Sequence, residues 1–341
     1  MAPKIGNEIF GRPTLLDIQA RVQSNTATYV ATQLLRSSAL LQLLTWDTSR
    51  DLAKVYKRKQ LARVGQTRAL NTDYAPKFAG GETQVTTNLA ILGDAFEWDR
   101  VLGAVNPAEV EAQIGAMAPG IGNRYADLLV NGSRAANALE FDGLSTIAES
   151  IGGNSVVTGL DLTLGDTGNN LKFRQNYGKL TRAVRQMTAL GLRPVIIGNT
   201  DVQSAIDLSA EIVGASSISD YFGTRSVTTL AGAALIDAGM ANVYGAPVTL
   251  PDGRQQYPVE QREVIPSDTT TGVVTDIYVI GVGLSGVTGI TLDGFDARSP
   301  VQFQTARTDA GAVRRAEIEM VAGVAVVDER AVVKFSDAKV G

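Results

Sequence analysis

The sequence predicts an α+β fold, with a long helix and extended end segments around a middle region of alternating helices and strands. Three observations predict it. An apolar stripe over 107–131 has helical spacing and a strong start signal. Two runs near the C-terminus, 276–284 and 315–335, are strand-like. A basic stretch followed by a Thr- and Val-rich one, over 50–100, breaks at Pro76 and Gly80-Gly81. Its two halves read as the arms of an elongated β-hairpin.

Residues 13–45 come first, as an arm of loose helical character, with Leu15, Ile18, Val22, Tyr29 and Leu34 among polar residues. From Arg50 to Lys77 eight basic residues face two acidic ones, a net +6 in 28 residues of a chain whose net charge is -4. The seven candidates for contact with another subunit lie here: Lys54, Lys57, Arg58, Lys59, Arg63, Arg68 and Lys77. An isolated charged hairpin buries little apolar surface and needs something to lie on.

In Asn106-Pro107-Ala108-Glu109, Asn106 is placed to cap a helix, Pro107 suits its first position, and Glu109 fits a capping box. Val110, Ile114, Met117, Ile121, Tyr125 and Leu128 then mark one face of about seven turns. Pro119-Gly120 predicts a kink and Asn131-Gly132 the end. Phe141-Asp142-Gly143-Leu144 reads as a turn with apolar flanks. A second helix spans about 171–190, with Phe173, Tyr177, Leu180, Val184 and Met187 on its buried face. A short buried strand at 193–199 and a helix start at Asp201 follow. Gly245 to Val248 turns into a strand, and 315–335 gives two strands around Asp328-Glu329-Arg330.

Composition narrows the chemistry. The 341 residues contain no cysteine and no histidine. That excludes disulfides, thiolate and imidazole metal sites, and nucleophilic catalysis that needs a histidine. An enzyme would have to rely on Asp, Glu, Lys or Tyr. The acidic net charge argues against a dedicated nucleic-acid binder. No signal peptide and no apolar run of membrane-spanning length is visible, so the expected setting is a cytoplasm without membrane contact. The sequon at Asn131-Gly132-Ser133 reads as chance.

Three motifs compete with a structural reading. Gly281-Val282-Gly283-Leu284-Ser285-Gly286 matches a dinucleotide-binding turn, but Val287 to Thr291 is β-branched and glycine-interrupted, where a helix should begin. A glycine-rich bend is expected instead, and no cofactor. Asp161, Asp166 and Asn169-Asn170 lack the spacing of a calcium loop and read as a turn, so no metal is expected. Glu109 and Glu111, two apart, face different sides of a helix and do not form an acid–base pair.

The order of these parts resembles the major capsid proteins of tailed bacteriophages, the family with the Hong Kong 97 capsid fold. The phrase Phe141 to Leu144 and the closing Glu317-Ile318-Glu319-Met320-Val321-Ala322-Gly323-Val324-Ala325-Val326 look like the family's junction and last strands. The resemblance implies an N-terminal arm at 1–49 and an E-loop hairpin at 50–100. It implies a peripheral domain from 101–144 and 301–341, with its spine helix at 107–131, and an axial domain at 145–300. A non-enzymatic shell subunit is implied, assembling with itself into pentamers and hexamers of an icosahedral virion capsid around double-stranded DNA. Implied partners are a separate scaffolding protein, a portal, a decoration protein, and packaged DNA contacted without sequence preference. An encapsulin-like compartment shell shares the fold and is the alternative. A nucleotide-dependent enzyme rests only on 281–286.

Overall fold

A computed structural model describes residues 38–60, 67–74, 81–99, 101, 105–163, 170–213, 217–220, 226–245, 247–249, 255–256, 258–270, 272–293, 301–304 and 313–341. Most of the N-terminal arm lies outside these residues. Its last part forms α1 (Ala39–Leu43), capped by the Ser38 hydroxyl, which accepts from the Leu41 amide at 3.3 Å. Strand β1 (Trp46–Ser49) follows.

The hairpin is present as β2 (Ala53–Lys59) and β3 (Glu82–Asn88), paired antiparallel from Ala53↔Asn88 to Lys59↔Glu82. The next strand, β4 (Ala90–Asp99), leaves the hairpin and pairs along ten residues with β17 (Val313–Val326). Residues 90–99 therefore belong to the main sheet.

The long helix α2 spans Pro107–Asn131, as the stripe predicts. Its start is not capped as expected. The Asn106 side chain makes no capping hydrogen bond, and Glu109 instead accepts from Gln113 one turn on, at 2.9 Å. The helix runs through Pro119 and Gly120 without a break. After α2 the chain turns into α3 (Leu144–Ile151) and β5 (Val156–Thr158). Helix α4 (Asn170–Ala189), strand β6 (Arg193–Gly198) and helix α5 (Thr200–Val213) fall close to the predicted positions.

Further strands are β7 (Ser217–Asp220), β8 (Ser226–Leu230), β9 (Ala233–Asp237), β10 (Met240–Tyr244), β11 (Val248–Thr249), β12 (Gln255–Gln256) and β13 (Val259–Glu263). The C-terminal part supplies β14 (Val274–Val282), β15 (Val287–Leu292), β16 (Val301–Gln304), β17 and β18 (Val332–Lys339). Twelve of these strands form one sheet, with the path β16-β17-β15-β14-β6-β9-β8-β7. Strands β17 and β18 flank a short 3₁₀ turn at Glu329–Ala331, yet they pair with different neighbours: β17 with β4, β15 and β16, β18 with β14 and β5.

The central strands are apolar on both faces, because each face is covered. Val195, Ile197, Tyr278 and Ile280 join the core beneath α1, α2 and α3. Their alternates Ile196, Ile277 and Val279 join a second core beneath α4 and α5, with Leu180, Val184, Met187, Val202 and Ile206. A bulky ring on one strand can require a glycine on the next. A Cβ on Gly289 would lie 2.7 Å from the Trp46 ring, which sits 5.8 Å from the ring of Tyr125.

The turn at 141–144 has a complete local account. Phe141 and Leu144 are fully buried. The Asp142 carboxylate accepts from the Arg134 amide at 2.9 Å, and the Gly143 amide donates to the Gly132 carbonyl at 2.8 Å. A Cβ on Gly143 would lie 2.5 Å from the Leu128 carbonyl and 2.8 Å from the Gly132 nitrogen, so only glycine fits. Gly143→Ala should destabilise the fold by about 2 kcal/mol or more, the scale of overpacking against backbone that cannot yield. Urea unfolding followed by circular dichroism checks it; an unchanged midpoint would contradict this reading of the turn.

Candidate functional site

The surface singled out by the sequence is the hairpin, and its base is built onto the chain's own body. On the outer face of β17 and β15, Leu89, Ile290, Val321 and Ala325 form a small buried cluster, against which Tyr56 and Leu292 pack. A Cβ on Gly323 would lie 2.8 Å from a Leu89 methyl and 2.9 Å from the Asn88 carbonyl. The missing side chain at Gly323 is the seat for the base of the hairpin.

The basic residues divide by what they touch. Arg58 is buried: its Nε donates to the Val326 carbonyl at 3.1 Å and its guanidinium to the Tyr56 hydroxyl at 3.2 Å. Lys54 is ion-paired with Asp47 and donates to the Thr48 carbonyl at 2.9 Å. The Lys59 amide donates to the Val327 carbonyl at 2.7 Å, while its side chain is exposed. Lys57 is exposed and meets Glu82 across the hairpin at 3.5 Å. Arg68 donates to the Thr72 carbonyl at 3.0 Å and lies over the Tyr74 ring, 5.5 Å from its centroid. Arg63 and Lys77 lie outside the described residues.

Sequence reasoning found the charges and missed the apolar groups beside them. Leu70 is 89% exposed, Tyr74 59% and Val55 56%, all on the hairpin or its outward extension. Exposed large apolar side chains in one region mark a contact surface. A groove of about 640 Å³ on the body is lined by Ile91 and Leu92 of β4, Ile121 and Arg124 of α2, and Val243 and Val259 of the β10–β13 pair.

Ion pairs with one buried partner link elements of the body. Asp127 of α2 is almost wholly buried and accepts from Arg124 at 2.8 Å, Arg262 of β13 at 3.1 Å and Asn131 at 3.0 Å. Lys334 of β18 is buried between Glu149 of α3 at 2.8 Å and Asp276 of β14 at 3.2 Å. Burial alone would lower the Lys334 pKa, but the hydrogen bond to Glu149 and the neighbouring acids outweigh it and raise the value. The same hydrogen bond lowers that of Glu149. The Tyr278 hydroxyl is pushed up to about 12 by burial first. At Asp328 burial pushes upward, and hydrogen bonds from Arg330 more than offset it, so its pKa falls.

The other motifs resolve as structure. In 281–286 the residue after the last glycine begins β15, so the helix N-terminus that would receive a pyrophosphate is not there. A Cβ on Gly281 or Gly286 would lie 2.7 Å from the Leu192 side chain, and one on Gly286 2.3 Å from the Gly281 carbonyl. Close packing therefore accounts for both glycines. The Asp161 carboxylate accepts from the Thr163 amide at 3.1 Å and from its hydroxyl, an ordinary local turn; 164–169 lie outside the described residues. Among the described residues no cluster of three potential ligands could hold a metal, and no helix is long and apolar enough to cross a membrane.

No family model matches the chain, and no curated protein matches it. Solved structures do. The capsid of an empty GTA particle matches with a TM-score of 0.55 and 12% identity, over 99% of this chain and 95% of that one. The holo-SrpI encapsulin complex from Synechococcus elongatus PCC 7942 matches with a TM-score of 0.54 and 15% identity, over 88% and 87%. The capsid of a native GTA particle gives 0.50 and 12% identity, over 99% and 95%. The fold is the Hong Kong 97 capsid type.

Acid response should follow the carboxylates with lowered pKa, Glu149, Asp268 and Asp328. Glu149 has an ordinary value of 4.5, and Asp268 and Asp328 have one of 3.8. Because their folded values are lower, their stabilisation is present above the ordinary values and lost as pH falls through the folded ones. With no histidine in the chain, stability should be flat from about pH 6 to 8 and decline only below the ordinary carboxylate range, about pH 4. Urea midpoints measured from pH 3 to pH 8 check this; a step near pH 6.5 would contradict it.

Proposed function

We propose that this chain is a structural, non-enzymatic shell subunit. Many copies close into an icosahedral virion capsid of pentamers and hexamers around double-stranded DNA. The observation that carries the reading is the hairpin, anchored at its base to its own body while its outward part exposes Leu70, Tyr74, Lys57 and Arg68. A lone domain gains nothing from such an extension. Laid on a neighbouring copy, it buries both its apolar groups and its charges. The groove between β4, α2 and the β10–β13 pair supplies a seat of matching apolar character.

Scaffolding, portal and decoration proteins are the partners a shell of this kind would use, and DNA would be contacted without sequence preference. The encapsulin-like alternative rests on the similarity to the SrpI shell. The GTA capsid covers more of both chains, which favours the capsid reading.

Purified protein should form large particles visible by negative-stain electron microscopy. Removing 60–75 should leave a soluble, folded chain that yields few or no shells. Arg58 and Gly323 are retained in that variant, so the hairpin base stays seated. Normal assembly by the deletion variant would remove the hairpin from the contact. A wild-type protein that remains a small oligomer under all conditions would refute the shell reading itself.

A further inference from the structure

Two helices on one face of the central sheet carry opposite charges on their outer sides. Helix α4 packs over β14 and β6, and α5 over β6 and β9. Over 170–189 the sequence has five basic residues and no acidic one; over 200–213 it has three acidic residues and no basic one. The period of each helix separates these charges from the apolar face. Leu180, Val184 and Met187 of α4 are buried, and Arg174, Lys179, Arg182 and Arg185 are exposed. Val202, Ala205 and Ile206 of α5 are buried, and Asp201, Ser204, Asp207 and Leu208 are exposed.

Among the described residues these charges are largely unpaired. Arg174, Arg182, Arg185 and Asp207 form no ion pair with another described residue. Among the described residues Lys179 reaches the Gly159 carbonyl, at 3.4 Å, and Asp201 accepts from Ser267.

We propose that the basic face of α4 docks on the acidic face of α5 of a second copy of this chain. The contact joins two different patches, so it can repeat head to tail, and it closes into a ring where the rotation between successive copies allows it. The proposal deepens the shell reading by naming the faces that hold neighbouring copies together; only the size of the ring rests on that reading. Leu208, 46% exposed beside Asp207, supplies an apolar centre for the acidic side, as protein contacts have. A duplex nucleic acid fits less well. The two helices share β6 and so lie roughly 10 Å apart. A duplex, whose major groove alone is about 12 Å wide, could not cover α4 without bringing phosphates onto the carboxylates of α5.

The test uses charge exchange in the full chain. Arg182→Glu with Arg185→Glu, and separately Asp207→Arg, should each reduce the yield of sedimenting assemblies at least about tenfold, the factor that roughly 1.4 kcal/mol of contact energy represents. The three substitutions combined should restore assembly, a result that a purely structural role for either helix would not give. If Asp207→Arg assembles normally while the arginine variant loses binding to duplex DNA, the face belongs to nucleic acid and the proposal is overturned.

Because the chain has no cysteine, a second measurement is clean. Arg182→Cys and Ser204→Cys proteins, mixed under oxidation, should give a disulfide-linked dimer that neither gives alone. No dimer from the mixture, with wild-type particles present, overturns this contact and leaves the shell reading standing. A mixed dimer from a wild-type chain that never builds particles supports the contact and counts against the shell.

Discussion

The whole architecture depends on a sheet whose middle strands must be covered on both faces. Strands β14 and β6 present apolar side chains in both directions. Exposing either face would return several large aliphatic side chains to water, each at roughly 1.5–3 kcal/mol. That constraint fixes where the helices go. The long helix α2, with α1 and α3, closes one side, and α4 with α5 closes the other. Glycines appear where a side chain presses against the strand backbone, as at Gly281 and Gly286 against Leu192. A pattern that looks like a nucleotide-binding turn is here the trace of tight packing.

Local features of the sequence translate faithfully because their causes are local. Helix α2 occupies 107–131 because its apolar stripe and the Pro107 start are properties of that segment alone. Capping failed where several groups compete: Glu109 finds Gln113 on the next turn, and the Asn106 side chain is left without a cap bond. Pairing was legible only in part. The alternation of Ala316, Ile318 and Met320 with Glu317 and Glu319 announces a strand with one buried face. Nothing in it says that β4, more than two hundred residues earlier, lies alongside.

The same limit applies to the candidate surface. The basic run at 50–77 was visible as a charge anomaly, but charge alone does not distinguish Arg58 from Lys57. A neighbour distant in sequence does: the Val326 carbonyl, with the nearby Tyr56 hydroxyl, draws Arg58 inward, while Lys57 is exposed and meets Glu82 across the hairpin. Gly323 was the one local signal of the seat, since a glycine inside an otherwise apolar strand marks a place where another backbone comes close.

On the proposed shell reading, the division between anchored base and exposed extension suits a subunit that is stable alone and also joins others. Pairs made by a buried residue, such as Lys334 with Glu149 and Asp276, lie between elements of one chain, where they hold geometry regardless of concentration. The exposed groups of the hairpin and of α4 and α5 are different. A single exposed ion pair contributes at most about 1 kcal/mol and weakens with salt. Contacts that weak would not hold two copies together, but a copy in a closed ring makes them on both sides at once. The second contact is then intramolecular in effect, and its effective concentration multiplies the first. Weak individual contacts also let a misplaced copy leave before the ring closes, so the same exposed chemistry that looks wasteful in one chain suits correct assembly of many.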